Sequence, residues 1–456
     1  AAYYDPHSAF GLVDAQLGSL LYDTLLVMDK KGNVAPSLAK SYKRVSKTQV
    51  DLVIRTGVKF HDGTPVTPAD VAASINRVMA PASPLAFALL MAPGKATVSG
   101  NTVKVVTEKP FGALENSLAV LAIVSSADIA KPDNWKATGN GSGPYTFVSN
   151  KNNDLTVVAN DDYWGDKPKI KTVILRYIED TQARQSALLT GQVDMSTRVG
   201  PQEIAGVKGN SDFNVFSNQG PPSQIIQIWR DGGALKDPKL RRAISYAIDR
   251  KTISEKIQGG MNPLAYNGMP TNMPFYKAAV EKYEYNPAKA KSLIKSLGYF
   301  NKVTLTMSTS SLVPKQAEID QAIVGYLKAV GINVKVTKLE VGKFRTTYPD
   351  YDISLNTIAT FNNDPSFSLG LYAGGVGKAI FGWEDAEMDR LFAAQRDDSG
   401  ATRAGKVNLA QTYLWKMART LWVSDENWVF IANKRVKNYE RSPLVGEALI
   451  VNASVS

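Results

Sequence analysis

Residues 55–78, RTGVKFHDGTPVTPADVAASINRV, contain the local signals that decide the fold of this chain. The dipeptide Asp62-Gly63 is a turn signal, and the proline that follows restricts the backbone after it. The tetrapeptide TPAD at 67–70 is typical of the start of a capped helix. The stretch therefore predicts a strand, a tight turn and a helix, and it places one of only two histidines, His61, inside the turn.

Strand and helix patterns alternate along the rest of the chain, with turn residues at short intervals. Polar and apolar residues alternate as in paired strands in TQVDLVIRTGVKF (48–60) and NTVKVVTEKP (101–110). Helical periodicity occurs in DAQLGSLLYDTLL (14–26), TQARQSALLTG (181–191), KLRRAISYAIDRKTISEKIQGG (239–260), PAKAKSLIKSLGY (287–299) and KQAEIDQAIVGYLKAVG (315–331). The last helix is bracketed by KVTLTMST (302–309) and INVKVTKLE (332–340), which predicts a right-handed strand, helix, strand crossover. We expect an α/β protein.

Composition limits the possible functions before any motif is considered. A chain of 456 residues exceeds what one hydrophobic core usually serves, so two or more lobes are expected. It has no cysteine, which removes disulfides, thiol nucleophiles and cysteine zinc sites. The net charge of +11 comes from scattered lysines and favours a solvated basic surface over a nucleic-acid footprint. The apolar run LAVLAIV (118–124) is too short to span a membrane, and we expect that a signal peptide has been removed.

Six segments occur in the order found in one known family. They are LYDTLLVMDKKGNVAPSLAKSY (21–42), the stretch 55–78, GSGPYTF (141–147), DDYWGDKPKIKTVILRYIEDTQARQSALLTGQVDM (161–195), KLRRAISYAIDRKTI (239–253) and YNPAKAKSLIKSLGY (285–299). Because it contains these segments, the chain resembles the solute-binding proteins of ABC importers in the peptide, nickel and opine family. The resemblance extends from about residue 10 to about residue 440. The resemblance implies a receptor that captures a small solute and hands it to a membrane permease without chemistry.

The resemblance also implies an architecture. It is the two-lobed periplasmic-binding-protein fold of type II, of the large cluster with an accessory subdomain in lobe I. Lobe I is expected at 1–230 and 433–456, with the accessory subdomain at about 35–145, and lobe II at 231–432. The crossing strands are predicted at SQIIQIWR (223–230) and NWVFIANKR (427–435). We expect a monomer in the periplasm, or anchored outside the cytoplasm by lipid, without a cofactor, a metal site or nucleic acid as a partner.

Candidate ligand-binding residues follow from the same resemblance. In peptide-binding relatives an aspartate before an Asp-Pro dipeptide pairs with the peptide amino terminus, and Phe361 occupies that position here. Asp364 is a substitute for it or, alternatively, caps the following turn. Aromatic side chains suit apolar, sugar or cationic groups, and buried arginines suit carboxylates. The full candidate set is Tyr3, Tyr4, His7, Asn140, Ser142, Trp229, Arg230, Ser308, Arg345, Phe361, Asn362, Asp364, Tyr372, Lys378 and Trp383.

Enzyme and metal interpretations receive less support from the sequence. SLAK (37–40) and SLIK (292–295) lack the partner motifs of acyl-transfer enzymes, and GLYAGGVGKA (370–379) lacks the spacing of a phosphate-binding loop. Two histidines, one of them in a predicted turn, do not make a metal cage or a Ser-His-acid set. A sensor partner of a chemoreceptor remains an alternative to a transport receptor. The solute remains open among a short peptide, an opine or sugar conjugate, and an anionic metal chelate, and loss of the amine-pairing acid favours an anionic one.

Overall fold

A computed structural model describes most of the chain. It covers residues 5–7, 12–29, 32–80, 83, 92–131, 139–197, 199–229, 232–266, 268–279, 281–311, 313–360, 362–381, 383–398, 400–441 and 448–456. None of the helices in this part of the chain has the length and apolar character needed to span a bilayer.

The strands in the described residues form six separate sheets. In chain order they are β1 (Leu26–Met28), β2 (Val34–Pro36), β3 (Ala39–Ser46), β4 (Gln49–Ile54), β5 (Gly94–Ser99), β6 (Thr102–Thr107), β7 (Tyr145–Lys151), β8 (Asp154–Ala159), β9 (Thr172–Arg176), β10 (Met195–Thr197), β11 (Phe213–Ile228), β12 (Val303–Thr309), β13 (Ile332–Lys338), β14 (Ile353–Ala359), β15 (Thr420–Asn433), β16 (Val436–Lys437), β17 (Glu440–Arg441), β18 (Ala448–Leu449) and β19 (Ser454–Val455). The central sheet has six strands in the order β10-β15-β11-β14-β12-β13. β3-β4-β6-β5 and β7-β8-β9 form sheets of four and three strands, and the other sheets are two-stranded.

The helices lie between these strands. They are α1 (Leu12–Leu21), α2 (Pro68–Met79), α3 (Leu114–Leu118), α4 (Ser126–Ala130), α5 (Thr181–Leu189), α6 (Pro201–Val207), α7 (Pro238–Ala247), α8 (Arg250–Thr252), α9 (Pro287–Ser296), α10 (Gln316–Ala329), α11 (Val341–Thr347), α12 (Ser366–Gly370), α13 (Gly374–Phe381), α14 (Ala386–Arg396) and α15 (Gly400–Met417). The capped start predicted at TPAD is confirmed. The Thr67 hydroxyl accepts from the Asp70 backbone, and the Asp70 carboxylate accepts from the Thr67 backbone, so the two residues form a capping box.

Two groups of hydrophobic cores are joined by the long strands β11 and β15. One large core is built from residues between 225 and 423 and surrounds the sheet end that contains β12, β13 and β14. Separate cores lie around the four-stranded sheet, around the three-stranded sheet and between α5, α6 and the far end of β15. We call the first body lobe II and the remainder lobe I. The predicted lobe boundaries remain predictions.

The strand, helix, strand unit predicted at 302–340 is confirmed, because β12 and β13 pair in parallel and α10 connects them. The helix predicted at 239–260 differs from the prediction. It ends at Ala247, where Ile248 adopts an extended backbone, and it restarts at Arg250 under a cap from Asp249. The segment Ile253–Ile257 then continues as a π-helical turn. The apolar residues Ile253 and Ile257 do not continue the helical face of Leu240, and this change of phase accompanies the interruption.

Candidate functional site

The two lobes meet where β11 is interrupted. β11 pairs with β15 from Phe213 to Gln219 on one side and again from Ser223 onward on the other. Between these points Gly220, Pro221 and Pro222 form a bulge, since proline offers no N–H for the ladder. Both crossing strands are therefore longer than the sequence predicted. The Gly-Pro-Pro segment, which we expected to precede the first crossing strand, lies inside it and is accommodated as this bulge.

Asp425 fastens the two crossing strands beside the bulge. Its carboxylate accepts hydrogen bonds from the Ser223 hydroxyl at 2.5 Å and from the Gln219 amide at 2.8 Å, both on β11. The Thr271 backbone and hydroxyl donate to it from 3.0 and 2.6 Å. Burial raises the pKa of Asp425, although these donors oppose the rise. One carboxylate thus ties both strands and a loop of lobe II together, and sequence patterns gave no signal for it.

An aromatic cluster lies on one face of the crossing strands, next to the bulge. Phe216 pairs with Phe430 in the ladder, and Trp428 lies two residues before Phe430 on the same face. Ala359, at the end of β14 in lobe II, packs against them. A side chain at Gly220 would come within 3.0 Å of the Trp428 indole, so glycine allows this close approach. Planar side chains at a lobe junction suit an apolar or planar part of a solute. The sequence analysis did not single out these residues.

Asn362 connects the lobes three residues after Ala359, the β14 residue that pairs with Pro222 of the bulge. It follows β14, and its amide donates to the Ser117 hydroxyl at 3.2 Å. The Asn116 amide of lobe I donates to the Asn362 carbonyl, also at 3.2 Å. Asn362 is therefore the one predicted site residue, among those described, for which hydrogen bonds to the other lobe are recorded.

Further contacts extend this junction to the end of α14. The Gly112 backbone donates to the Arg396 carbonyl at 2.9 Å, and the Arg396 guanidinium lies 4.7 Å from the centre of the Phe111 ring. Lys47 and Asp398 form an ion pair at 3.2 Å. We call these contacts, together with those of Asn116, Ser117 and Asn362, the interlobe latch. The latch holds the two lobes in contact in this structure.

Asp364 supports the loop that carries Asn362. Its carboxylate pairs with Arg403 through two hydrogen bonds of 2.6 and 2.7 Å, and both side chains are 3% exposed. It also accepts from the Ser366 backbone at 2.9 Å, as the turn-capping alternative expected. Burial alone would raise the pKa of Asp364, but the charge and hydrogen bonds of Arg403 outweigh it and hold this pKa below its usual range. Asp364 is therefore occupied by a partner that the sequence did not reveal.

His7 is fixed inside lobe I. Its Nε2 donates to the Ala122 carbonyl at 2.8 Å, and Arg77 donates to its Nδ1 at 3.0 Å. Arg77 also pairs with Asp5. Burial lowers the pKa of His7 to about 4, so the ring is neutral at physiological pH. Both ring nitrogens are engaged with lobe I groups, and no ligand role is needed to explain them.

The loop at 140–143 packs against the turn that contains His61. The His61 Nε2 donates to the Gly143 carbonyl at 3.0 Å, and the Asn140 amide donates to Asp62 at 3.1 Å. The Ser142 hydroxyl donates to buried Asp23 at 2.9 Å. The polar groups of Asn140 and Ser142 thus hold lobe I together in this structure, and their contact with a ligand remains a prediction.

We expect His61→Ala to lower the thermal stability of the protein modestly and to leave its affinity for solute almost unchanged. The substitution removes two hydrogen bonds to the 140–143 loop, from Nε2 to the Gly143 carbonyl at 3.0 Å and from the Gly141 backbone to Nδ1 at 3.3 Å, each worth about 1 kcal/mol, and it touches neither the latch nor the hinge. Calorimetric titration of the variant with the solute that binds wild type measures this directly. A tenfold loss of affinity, equal to about 1.4 kcal/mol, would contradict the assignment of His61 to turn packing.

The three described aromatic candidates lie in the core of lobe II. Trp229 donates to the Ser354 hydroxyl at 2.6 Å, and the Tyr372 hydroxyl donates to Gln227 at 3.0 Å. Trp383 stacks on Tyr372 with 5.7 Å between ring centres. All three are at most 4% exposed. We expected them on the cleft border, and in this structure they are packed among the buried residues of the lobe II core.

The remaining candidates are dispersed. The Ser308 hydroxyl is buried on β12, and Arg345 lies in α11. Lys378 is exposed and forms an ion pair with Glu384, which makes it a surface residue in this structure. Four candidates lie outside the described residues: Tyr3, Tyr4, Arg230 and Phe361.

An open depression of about 300 Å³ lies elsewhere on lobe I, lined among others by Leu189, Asp212 and Arg435. It is at the far end of the β11-β15 pair, about 20 Å along the strands from the bulge at 3.3 Å per residue. We do not assign it to the site between the lobes.

Comparisons with known proteins agree with this geometry. The glutathione-binding protein GsiB of Pectobacterium atrosepticum is 26% identical over 455 residues, which cover 97% of this chain and 88% of that protein. Two solved structures match the fold over the whole chain and 96% of their own length. AgaA of A. tumefaciens R10 in complex with agropinic acid has a TM-score of 0.87 at 24% identity, and DppA of Helicobacter pylori in complex with the peptide STSA has 0.87 at 23%.

The two structural likenesses establish the two-lobed type II fold of periplasmic binding proteins, and the sequence establishes the family. The model of the bacterial extracellular solute-binding proteins, family 5, matches residues 33–379, about three quarters of the chain. This match includes the turn and capped helix around His61, the 140–143 loop and the segment that contains Asn362. The chain therefore belongs to the bacterial extracellular solute-binding proteins of family 5.

Proposed function

We propose that this protein is the receptor of an ABC importer and that it binds a small, peptide-like solute bearing carboxylate groups between its lobes. The observation that carries the proposal is the pair of crossing strands, fastened by Asp425, together with a latch that holds the two lobes in contact, in a family 5 protein. Two strands permit a hinge motion while limiting lateral slip. The solute is delivered to the permease unchanged, outside the cytoplasm, by a periplasmic or lipid-anchored protein.

The proposed solute class rests on relatives and on charge. The relative GsiB is named for glutathione, an anionic tripeptide. The structural neighbour AgaA is in complex with agropinic acid. The net charge of +11 favours encounter with anions. The predicted replacement of the amine-pairing acid by Phe361 points the same way. Of the three basic candidates, only Lys378 has a described side chain, and it is paired with Glu384.

We expect glutathione to stabilise the protein against thermal unfolding and to reduce its radius of gyration in small-angle scattering. A ligand that binds only the closed form shifts the population toward that form and adds stability as its concentration exceeds the dissociation constant. Dialanine and agropinic acid should be measured beside it. If none of the three stabilises the protein, the proposed solute class is wrong. If one does so without changing the radius, the closure mechanism is wrong.

The latch gives this test a matched pair of variants. Asn116→Ala removes one hydrogen bond between the lobes and should weaken solute binding about fivefold, since the closed form loses about 1 kcal/mol. Asn333→Ala changes the same side chain at an exposed position on β13 and serves as the control. Equal affinities of the two variants would show that the latch does not contribute to closure.

A further inference from the structure

The lobe I side of the interlobe latch comes from one short stretch of chain. Residues 111–117 lead into α3 and form most of it, and Lys47 lies next to them in the turn between β3 and β4. Phe111, Ala113 and Leu114 are completely buried in the core around the four-stranded sheet. The region predicted as the accessory subdomain therefore supplies this half of the latch.

Gly112 lies directly against lobe II, and it can do so because it has no side chain. Its backbone N–H donates to the Arg396 carbonyl at 2.9 Å. A Cβ atom at this position would overlap the Asp398 carbonyl oxygen and lie 3.0 Å from Nε of Arg403. Gly112 does not adopt a positive φ angle, so its own backbone conformation would accept alanine. The atoms nearest to this Cβ position all belong to lobe II, so a methyl group here would collide with the other lobe.

The lobe I side of this contact is held in place. The Phe111 backbone N–H donates to the Lys47 carbonyl at 3.3 Å, and the Phe111 carbonyl accepts from Arg44 at 3.2 Å. Arg44 in turn pairs with Glu115 of α3 through a hydrogen bond of 2.7 Å. Because the residues on both sides of Gly112 are buried, its backbone cannot withdraw from a collision without disturbing the core of lobe I.

The lobe II side is held as firmly. Asp398 follows α14, and its carboxylate pairs with Lys406 of α15. Arg403 pairs with Asp364 and also donates to the Gln395 carbonyl at 3.1 Å. A collision with a backbone carbonyl can be relieved only by a shift of the backbone. Since both lobes resist such a shift, a side chain at position 112 would keep the lobes apart.

Arg403 connects this contact to the segment that carries Asn362. The ion pair of Arg403 with Asp364 is buried, and Gly112 lies against the Nε edge of the guanidinium. When the lobes part, water reaches this edge, and the attraction between the two charges falls as the local dielectric constant rises. Asp364 caps the turn that follows Asn362, so separation of the lobes removes part of the support of this segment.

We propose that Gly112 is a positioning residue for solute capture: its missing side chain lets lobe I seat on Arg403, and this seating completes the burial of the ion pair that supports the Asn362 segment. This inference rests on the proposed function. The segment is firm when the lobes are in contact and looser when they part. The receptor completes this part of its binding surface as it closes.

The experiment first measures contact between the lobes without any solute. A water-soluble carbodiimide activates a carboxylate, which then forms an amide with an ammonium group in contact with it, while the reagent takes up the water that is lost. The Asp398 carboxylate lies 3.2 Å from Nζ of Lys47 in lobe I and also pairs with Lys406 of its own lobe. Mass spectrometry of the peptides gives the ratio of the Lys47 link to the Lys406 link. Gly112→Ala should lower this ratio about tenfold, because contact between the lobes becomes a minor state.

Gly405→Ala is the matched control. Gly405 is exposed on α15, and a Cβ atom there would meet no atom from another part of the chain within 4 Å. This variant should leave the ratio of the two links unchanged. Thermal unfolding of Gly112→Ala should stay cooperative, with a melting temperature near that of wild type, because the collision is with the opposite lobe.

Solute binding tests the second half of the proposal. Glutathione, dialanine and agropinic acid are titrated into wild type, Gly112→Ala and Gly405→Ala. Any of the three that binds wild type should bind Gly112→Ala about tenfold more weakly, with faster dissociation and a nearly unchanged association rate. A purely structural role of Gly112 inside lobe I would not separate the two rates in this way.

The outcomes separate the role of Gly112 from the receptor function. An equal ratio of links in Gly112→Ala and wild type, or no Lys47 link in wild type, overturns the proposal and leaves the receptor function intact. Loss of cooperative unfolding in Gly112→Ala places its role inside lobe I and overturns the proposal as well. A lowered ratio with unchanged solute affinity overturns the link to the Asn362 segment. If the ratio falls and none of the three compounds binds wild type, the seating of Gly112 is supported and the proposed solute class is wrong.

Discussion

Arg403→Ala is expected to lower the free energy of unfolding of lobe II by about 3–5 kcal/mol, which corresponds to a loss of roughly 10 °C in melting temperature. Arg403 and Asp364 are both 3% exposed, and the guanidinium also donates to the Ser366 hydroxyl and to Gln395. Removal of the guanidinium leaves the Asp364 carboxylate buried and unpaired. The loop to Asn362 should loosen at the same time, so solute affinity should fall as well.

Urea denaturation followed by tryptophan fluorescence measures the first effect. Arg390→Ala is the control, because Arg390 is 65% exposed and pairs with Glu387 on the surface of α14. It should cost less than about 1 kcal/mol. The double variant Arg403→Met, Asp364→Leu should recover much of the loss, since a buried ion pair replaced by apolar groups leaves no unpaired charge. If the double variant were as unstable as Arg403→Ala, the ion pair itself would stabilise the fold. The loss in Arg403→Ala would then not come from the unpaired Asp364 carboxylate alone.

Arg250→Lys is expected to destabilise lobe II by about 2–4 kcal/mol although the charge is kept. The Arg250 guanidinium donates to the carbonyls of Trp422 at 2.6 Å, Ser245 at 2.9 Å and Tyr283 at 3.1 Å, and to the Ser245 hydroxyl at 2.7 Å. A lysine ammonium has three donors at one point and cannot reach all of these acceptors. Each buried carbonyl left without a donor costs about 1–3 kcal/mol.

Burial is so complete around Arg250 that it lowers the pKa of the guanidinium to about 10. Burial would likewise lower the pKa of a lysine at this position below its value in the unfolded chain, so the folded variant would bind fewer protons than the unfolded one and would gain stability as the pH rises. Thermal unfolding at pH 7 and pH 9 should therefore show a smaller difference between Arg250→Lys and wild type at the higher pH. Arg390→Lys, an exposed exchange of the same type, should show no such difference. A variant with wild-type stability at both pH values would mean that water molecules donate hydrogen bonds to the four acceptors in place of the guanidinium.

Local signals predicted much of the fold. The capping box of Thr67 and Asp70 lies within four residues, and the β12-α10-β13 unit is contiguous in the chain. Each can therefore be predicted from one segment of the sequence. The buried contacts are different. Arg403 and Asp364 are separated by 39 positions, and Asp23 collects the hydroxyls of Ser142 and Tyr163 from more than a hundred residues away. Such pairs depend on how the elements pack, and a single sequence does not show which polar residues packing brings together.

The site was predicted only in part for the same reason. Asn362 was a candidate because the resemblance placed its segment, next to the Asp-Pro dipeptide, at the cleft, and it lies at the lobe junction. Trp229, Tyr372 and Trp383 were candidates on the same grounds, yet they are packed in the hydrophobic core of lobe II. Side chains in the strand NWVFIAN alternate between two faces. The alternation does not predict which of the two faces contacts the other lobe. Trp428 and Phe430 could be assigned to the junction only once the ladder with β11 was known.

The Gly220-Pro221-Pro222 bulge limits how the lobes can separate. Each proline has its φ angle fixed near −65°, so few backbone torsions remain free to rotate at this crossing. Asp425 binds the strand on both sides of the same point. Opening then follows a narrow arc instead of a broad ensemble of orientations. The open protein therefore has few relative lobe orientations, and closing around a solute loses little conformational entropy. A larger share of the free energy of the solute contacts then contributes to the binding affinity.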